Sequence, residues 1–250
     1  MGCKPNLETK LGLLKTVSIG FSGFGALLLA SAAFSSEAIA ETAIAYRAAP
    51  NITSSDIDRS DGPNVFDTVA VPIRAKPTST RWTKIMKASL DQPALVRLTE
   101  GAKELPPLEQ AAYVQSIMSY AVRNRSSAIH CSDDGYWAAA SETLVRGMGD
   151  CIDIAVAKME ALRLLGIPKE NFYLTTGYVS QGNGRGKIRE SAALLVRIGE
   201  SFWLLPERAN RIVLANGRES ASSKFTPILT YGVGKTWLHG RLVKTAMLGN

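Results

Sequence analysis

The hydrophobic periodicity changes once along this chain, and that change restricts the fold more than any other feature. Before Gly166, apolar residues recur at helical spacing in three segments, 79–90, 108–125 and 155–165. After Pro168, the apolar residues form short strand-like runs separated by turn residues. These runs are 172–179, 192–198, 202–205, 211–214 and 227–231. Helices followed by antiparallel strands predict an α+β fold.

The composition indicates one main globular domain. The chain has 250 residues, of which 46% are hydrophobic and 20% charged, so it is long enough to bury a sizeable core. Its net charge of +7 comes from Lys and Arg residues that are scattered along the chain. A nucleic-acid partner is therefore not expected, since such proteins concentrate their basic residues with aromatic ones.

The N-terminal residues read as an export signal. Three lysines precede a mostly apolar stretch over 17–34, which is followed by Ala38-Ile39-Ala40. That order predicts a signal peptide at 1–40, a linker and extended lead-in at 41–77, and the folded domain at 78–250. We therefore expect a periplasmic protein. The apolar stretch is long for a signal peptide, so an uncleaved inner-membrane anchor is the alternative, and it is the one membrane contact that we expect.

Cys151 is the candidate nucleophile. Asp150 occupies the expected N-cap position of the helix that includes 155–165, which places Cys151 in the first helical turn. The positive end of a helix stabilises a thiolate over a thiol, and a thiolate is the nucleophilic form. A structural role, as a buried thiol or in a disulfide with Cys131, is the competing interpretation.

The residues around Cys151 carry a family resemblance. The run Trp137, Ser141-Glu142-Thr143-Leu144, Gly147, Gly149-Asp150-Cys151, Asp153, Ala155, Lys158 and Leu162 resembles the nucleophile segment of bacterial transglutaminase-like cysteine proteinases. The similarity extends upstream to Trp82 and downstream to Trp237. It implies a papain-like, transglutaminase-like fold in which the cysteine begins the central helix and the following sheet supplies a histidine and an aspartate.

The same resemblance implies that the catalytic triad is degenerate. Ser191 stands at the family's histidine position, and Pro206 stands at its aspartate position, beside Glu207. A serine hydroxyl is not a general base near neutral pH. His130 is the candidate substitute base, because it lies in a polar cluster before Cys151.

Few ligand-binding features remain in the sequence. In family members that cleave adhesins, acidic residues after the cysteine can contribute to calcium binding. Here Ile152 follows the cysteine, and the acidic residues beside this pair are Asp150 and Asp153. Calcium prefers several oxygen ligands, so no metal and no other cofactor is expected. Trp137, Asp150 and Asp153 are the candidate binding residues, with Trp137 predicted to line a peptide groove.

Two functions follow from these residues. The first is a pseudoenzyme that keeps the fold and binds a peptide or protein without turnover. The alternative is an active cysteine peptidase that cleaves a periplasmic or surface protein with Cys151 and a non-standard base. The loss of the general base favours the pseudoenzyme, since such a loss costs two to four orders of magnitude in rate.

Overall fold

The structure is a computed structural model that describes residues 51–52, 61–74, 78–90, 92–124, 136–180, 188–216 and 225–242. The chain divides into two units, 1–45 and 46–250, and every described residue belongs to the second. The predicted signal or anchor at 1–40 therefore lies outside the described residues. Within the described ranges, no helix has the length and apolar character needed to cross a bilayer.

Five α-helices precede most of the sheet in the described chain. They are α1 (Thr78–Met86), α2 (Pro93–Thr99), α3 (Pro107–Ala121), α4 (Ala140–Arg146) and α5 (Cys151–Leu164). Short 3₁₀ turns follow α2 at Glu100–Ala102 and α5 at Lys169–Asn171. Prolines begin α2 and α3, where the missing N–H has no helical partner to lose.

The strands form one large sheet and one small pair. The large sheet contains β1 (Asn51–Ile52), β2 (Val69–Ile73), β5 (Phe172–Ser180), β6 (Ile188–Ile198), β7 (Ser201–Leu205), β8 (Val213–Leu214), β9 (Phe225–Tyr231) and β10 (Thr236–Leu242). Its order is β1-β10-β9-β5-β6-β7-β8, and β2 also pairs with β10. The pairs are antiparallel except β1 with β10, which is parallel. The small pair joins β3 (Arg123–Asn124) to β4 (Met148–Gly149) in parallel.

Helix α5 is the central element of the core. Every side chain from Cys151 to Leu162 is buried. The larger hydrophobic cluster joins α5 to one face of the sheet through Ala192, Leu194 and Val196. The alternate residues Ala193 and Leu195 pack into a second cluster, as expected for a strand covered on both faces.

The predicted α+β class is confirmed. The helices predicted at 79–90, 108–125 and after Asp150 are present, although α3 ends at Ala121 and is followed by strand β3. The periodicity did not reveal α2, α4 or β10. Strand β2 lies within the range that the sequence assigns to linker and lead-in, so that part of the range belongs to the sheet.

Candidate active site

The start of α5 is fixed by a reciprocal cap. The Asp150 carboxylate accepts hydrogen bonds from the backbone N–H groups of Ile152 at 2.8 Å and Asp153 at 2.9 Å. The Asp153 carboxylate in turn accepts from the backbone N–H of Asp150 at 3.2 Å. This capping box satisfies N–H groups that have no partner within the helix, and it confirms Asp150 as the N-cap.

The residue before the cap must be glycine. A Cβ atom on Gly149 would lie 2.8 Å from the Cβ of Asp153, closer than side-chain atoms approach one another. The backbone of Gly149 also pairs with Asn124 in the small parallel sheet. Close packing of the cap therefore explains why glycine precedes Asp150 and Cys151.

Cys151 is inaccessible in this structure. Its side chain is fully buried in the main hydrophobic cluster, and its sulfur is disulfide-bonded. The other two cysteines, Cys3 and Cys131, lie outside the described residues. A sulfur in a disulfide has no proton to lose and does not act as a thiolate nucleophile, so the helix-start position alone does not activate it.

Ser191 is hydrogen-bonded to a carboxylate rather than placed as a base. Its hydroxyl donates to Glu207 Oε2 at 2.8 Å, and both residues are buried. Arg189 approaches the same carboxylate at 2.9 Å, and the Arg208 Nε approaches its other oxygen at 3.2 Å. The strand position predicted to replace the family's histidine therefore belongs to a buried polar network around Glu207.

Pro206 contributes its backbone to the same region. Its carbonyl accepts hydrogen bonds from the Lys158 ammonium at 2.6 Å and from the Gln115 side chain at 3.1 Å. These donors come from α5 and α3, so both helices hold the chain where it leaves β7. Proline supplies no carboxylate there, and Glu207 is the neighbouring acidic group.

Lys158 is a charged residue inside the core. It lies two helical turns after Cys151 and is almost completely buried. Burial lowers the pKa of Lys158 to about 7, and the negative charge of Glu207 partly opposes this shift. Near neutral pH the Lys158 side chain therefore exists both as an ammonium and as a neutral amine, unlike a lysine in water.

Two members of this network were not singled out from the sequence. Lys158 belongs to the motif around Cys151, which does not indicate its burial, and no motif in the sequence includes Arg189. Strand alternation is the signal that could have linked Arg189 to Ser191, because residues two apart lie on the same side of β6. No comparable local signal connects Lys158 to Pro206, which is 48 residues away in sequence.

The remaining candidate residues are distributed differently. Trp137 packs partly buried against the main cluster, and its indole N–H is buried without a partner among the described residues. Its role in a peptide groove stays a prediction. His130 lies outside the described residues, so its role as a substitute base also stays a prediction.

His239 is a structural residue of β10. It is buried between Thr68, 2.7 Å from Nδ1, and Thr230, 2.8 Å from Nε2. Because the Thr68 hydroxyl donates to the Val65 carbonyl at 2.6 Å, Nδ1 carries the proton and Nε2 accepts from Thr230. Desolvation lowers the pKa of His239 to about 4, so this histidine is neutral at neutral pH.

The carboxylates near Cys151 do not fit a calcium site. Asp150 caps two backbone N–H groups, and Asp153 accepts from the N–H groups of Asp150 and Ala138. Calcium requires six to eight oxygen ligands, more than these two carboxylates supply, and three of their four oxygens already accept hydrogen bonds from the backbone. No cluster of three or more histidine, cysteine, aspartate or glutamate side chains suited to a metal occurs in the part of the chain that is described.

A small cavity lies on the sheet beside Ser191. Its volume is about 180 Å³, and it is lined by residues of β5, β6 and β9: Thr176, Gly177, Tyr178, Glu190, Ser191 and Ile228. The pairing of β5 with β9 shifts register between Thr176 and Gly177. A Cβ on Gly177 would lie 2.1 Å from the Thr226 carbonyl oxygen, so glycine permits the strands to approach here.

Comparison with known proteins gives matches among solved structures. Calcium-bound LapG from Legionella pneumophila is similar with a TM-score of 0.48 and 22% identity, over 68% of this chain and 93% of that chain. EGTA-treated LapG gives a TM-score of 0.47 and 21% identity, over 71% of this chain and 90% of that chain. LapG is a transglutaminase-like cysteine protease. No protein-family model and no curated protein matches the chain.

Proposed function

We propose that this chain is an exported, catalytically degenerate homologue of transglutaminase-like cysteine proteinases that binds a peptide or protein without cleaving it. The observation that carries the proposal is the commitment of Ser191 to Glu207. The family's chemistry requires an imidazole at that position to accept and return a proton. Here the position donates a hydrogen bond to a carboxylate that is paired with Arg189 and Arg208.

The arginines also make Glu207 a poor replacement for the missing base. The Glu207 carboxylate oxygens are already engaged by the Ser191 hydroxyl and by the Arg189 and Arg208 guanidinium groups. The Ser191 hydroxyl is itself buried. Neither group supplies the general acid and base steps of amide cleavage at neutral pH.

Cys151 supports the same conclusion independently. Its sulfur is buried and disulfide-bonded, whereas a catalytic thiolate must reach a substrate carbonyl. The binding function then depends on the surface around the inactive site.

The proposal of export rests on the N-terminal residues. The mass of the protein recovered from the periplasm tests it, and we expect a chain that begins at Glu41.

The decisive experiment measures iodoacetamide labelling of Cys151 against pH in the purified full-length chain, with and without reductant, by peptide mass spectrometry. We expect no labelling before reduction, and after reduction a labelling rate that rises with pH with an apparent pKa of about 8.5 or higher. The labelling of Cys131 after reduction is the internal reference, and a Cys151→Ser variant identifies the background. Rapid labelling of the unreduced protein well below neutral pH would overturn the proposal in favour of an active peptidase.

A further inference from the structure

The end of the sheet beside Ser191 has an excess of positive charge. Two segments meet there, the start of β6 and the loop after β7, because Glu207 bonds to both Arg189 and Ser191. Within the described parts of these segments, 188–191 and 206–211, three residues are basic and two are acidic. The basic residues are Arg189, Arg208 and Arg211.

One of the two acidic groups in this cluster, Glu207, is already paired with arginines. Glu207 has a side chain only 2% exposed, and both Arg189 and Arg208 pair with it. Arg189 and Arg208 together with Arg211 outnumber Glu207 and Glu190 by one charge. Arg211 carries this excess, because its side chain is exposed and forms no ion pair with any described residue.

The loop that presents these arginines is held in place. The carbonyl of Ala209 accepts hydrogen bonds from Gln115 and from Ser119, the latter at 3.1 Å. Lys158 holds the preceding Pro206 carbonyl, and Ile212 packs against the main hydrophobic cluster. A surface fixed in this way loses little conformational entropy when a ligand binds to it.

The cavity of about 180 Å³ lies on the same side of the site, since Ser191 lines it and also contacts Glu207. Its walls include the hydroxyl-bearing residues Thr176, Tyr178 and Ser191 and the carboxylate-bearing Glu190, so we expect it to receive an uncharged side chain. A depression of this size has room for a single side chain. A concave site beside an excess of positive charge is better suited to an extended peptide with negative side chains than to a flat surface of a partner protein.

We propose that Arg189, Arg208 and Arg211, here called the arginine rim, form a docking site for an acidic peptide segment of the protein partner. This inference rests on the proposed binding function and names the chemistry of its ligand. Arg211 and Arg208 provide charge for the acidic side chains. The adjacent cavity receives one residue of the bound segment.

The test measures the fluorescence anisotropy of a labelled octaglutamate peptide titrated with the full-length chain. Octalysine and a neutral glycine-serine peptide of equal length are the controls. The site variant is Arg208→Gln with Arg211→Gln. The matched variant is Lys84→Gln with Lys87→Gln, which removes the same charge from two exposed lysines at the end of α1 and just after it.

We expect octaglutamate to bind in preference to both control peptides. The site variant should weaken binding about tenfold, the matched variant by no more than about twofold, and added salt should weaken binding by the native chain. Arg211→Gln alone should also weaken octaglutamate binding, by less than the double variant does. This single variant keeps the test valid if Arg208→Gln disturbs folding. The inference fails if octaglutamate does not bind, or if both double variants lose affinity for it equally. It also fails if anionic lipid vesicles displace the bound octaglutamate.

Mass spectrometry of the peptide after the titration separates the two proposals. Bound and cleaved octaglutamate would contradict the proposed loss of catalysis while leaving the docking site in place. An intact peptide that does not bind would contradict the docking site alone. An intact, bound peptide whose affinity depends on the arginine rim supports both.

Discussion

At the scale of single residues, the Glu207 carboxylate lies at the centre of the polar network beside Ser191. It accepts from Ser191 and pairs with Arg189, whose side chain is 12% exposed. Removing one partner of a buried ion pair leaves the other charge without compensation, which typically costs 3 to 5 kcal/mol. Glu207 therefore compensates the charge of the largely buried Arg189.

We predict that Glu207→Gln lowers the free energy of unfolding by about 3 kcal/mol, because Arg189 becomes a buried, unpaired charge. Urea denaturation of the full-length chain measures the change. Glu200→Gln removes the same charge from an exposed position in the turn between β6 and β7 and should change stability by no more than about 0.5 kcal/mol. Equal effects of the two variants would show that the network contributes nothing specific.

Lys158 gives the protein a particular pH dependence. Its pKa is about 7 when folded and 10.5 in the unfolded reference, so between these values the unfolded chain binds more protons. Stability therefore rises with pH over that range, by roughly 1.4 kcal/mol per pH unit for one fully titrating group.

We predict that the unfolding free energy of the native chain, minus that of Lys158→Met, increases from pH 7 to pH 9 by about 2 to 3 kcal/mol. Methionine fills a similar volume and does not titrate, so the difference isolates Lys158. Denaturant titrations at pH 7, 8 and 9 test it. A flat difference would mean that Lys158 retains an ordinary pKa in the folded protein.

At the scale of elements, the beginning of α5 depends on its cap. Asp150 and Asp153 bond reciprocally to backbone N–H groups, and α5 is buried from its first residue. We predict that Asp150→Ala destabilises the fold by about 1 to 2 kcal/mol, whereas Asp150→Ser, which retains a capping oxygen, costs only a few tenths of a kcal/mol. Thermal unfolding of both variants provides the comparison, and similar losses would show that the charge matters more than the cap.

The elements also show how far sequence reasoning reaches. Helix α5 was predictable because an N-cap, a regular apolar stripe and a Gly-Pro ending all lie within a few residues of one another. Helix α4 was not, because Ala139 at its N-cap makes no side-chain capping bond and the helix has only 7 residues. Strand β2 was missed because its pairing with β10 joins segments more than 160 residues apart.

At the scale of the whole molecule, the two carboxylates near Cys151 supply fewer oxygens than a calcium ion needs, so we expect stability to be independent of calcium. We predict that calcium at about 1 mM and EGTA give the same melting temperature, since only a ligand that binds the folded state stabilises it. Differential scanning calorimetry of the full-length chain measures this. A calcium-dependent rise in melting temperature, absent with magnesium, would show that the chain has a calcium site despite the cap.

The sequence by itself determined the fold class and the position of Cys151 at the start of a capped helix, and it predicted Ser191 and Pro206 as the replacements for the family's histidine and aspartate. These are local properties, because periodicity, capping and the identity of a residue can be read within a short stretch of chain. Only the tertiary structure decided what those residues contact. Ser191, Glu207, Pro206 and Lys158 come from different elements, and their hydrogen bonds and the pKa of Lys158 depend on burial and distances that exist only after the helices pack on the sheet.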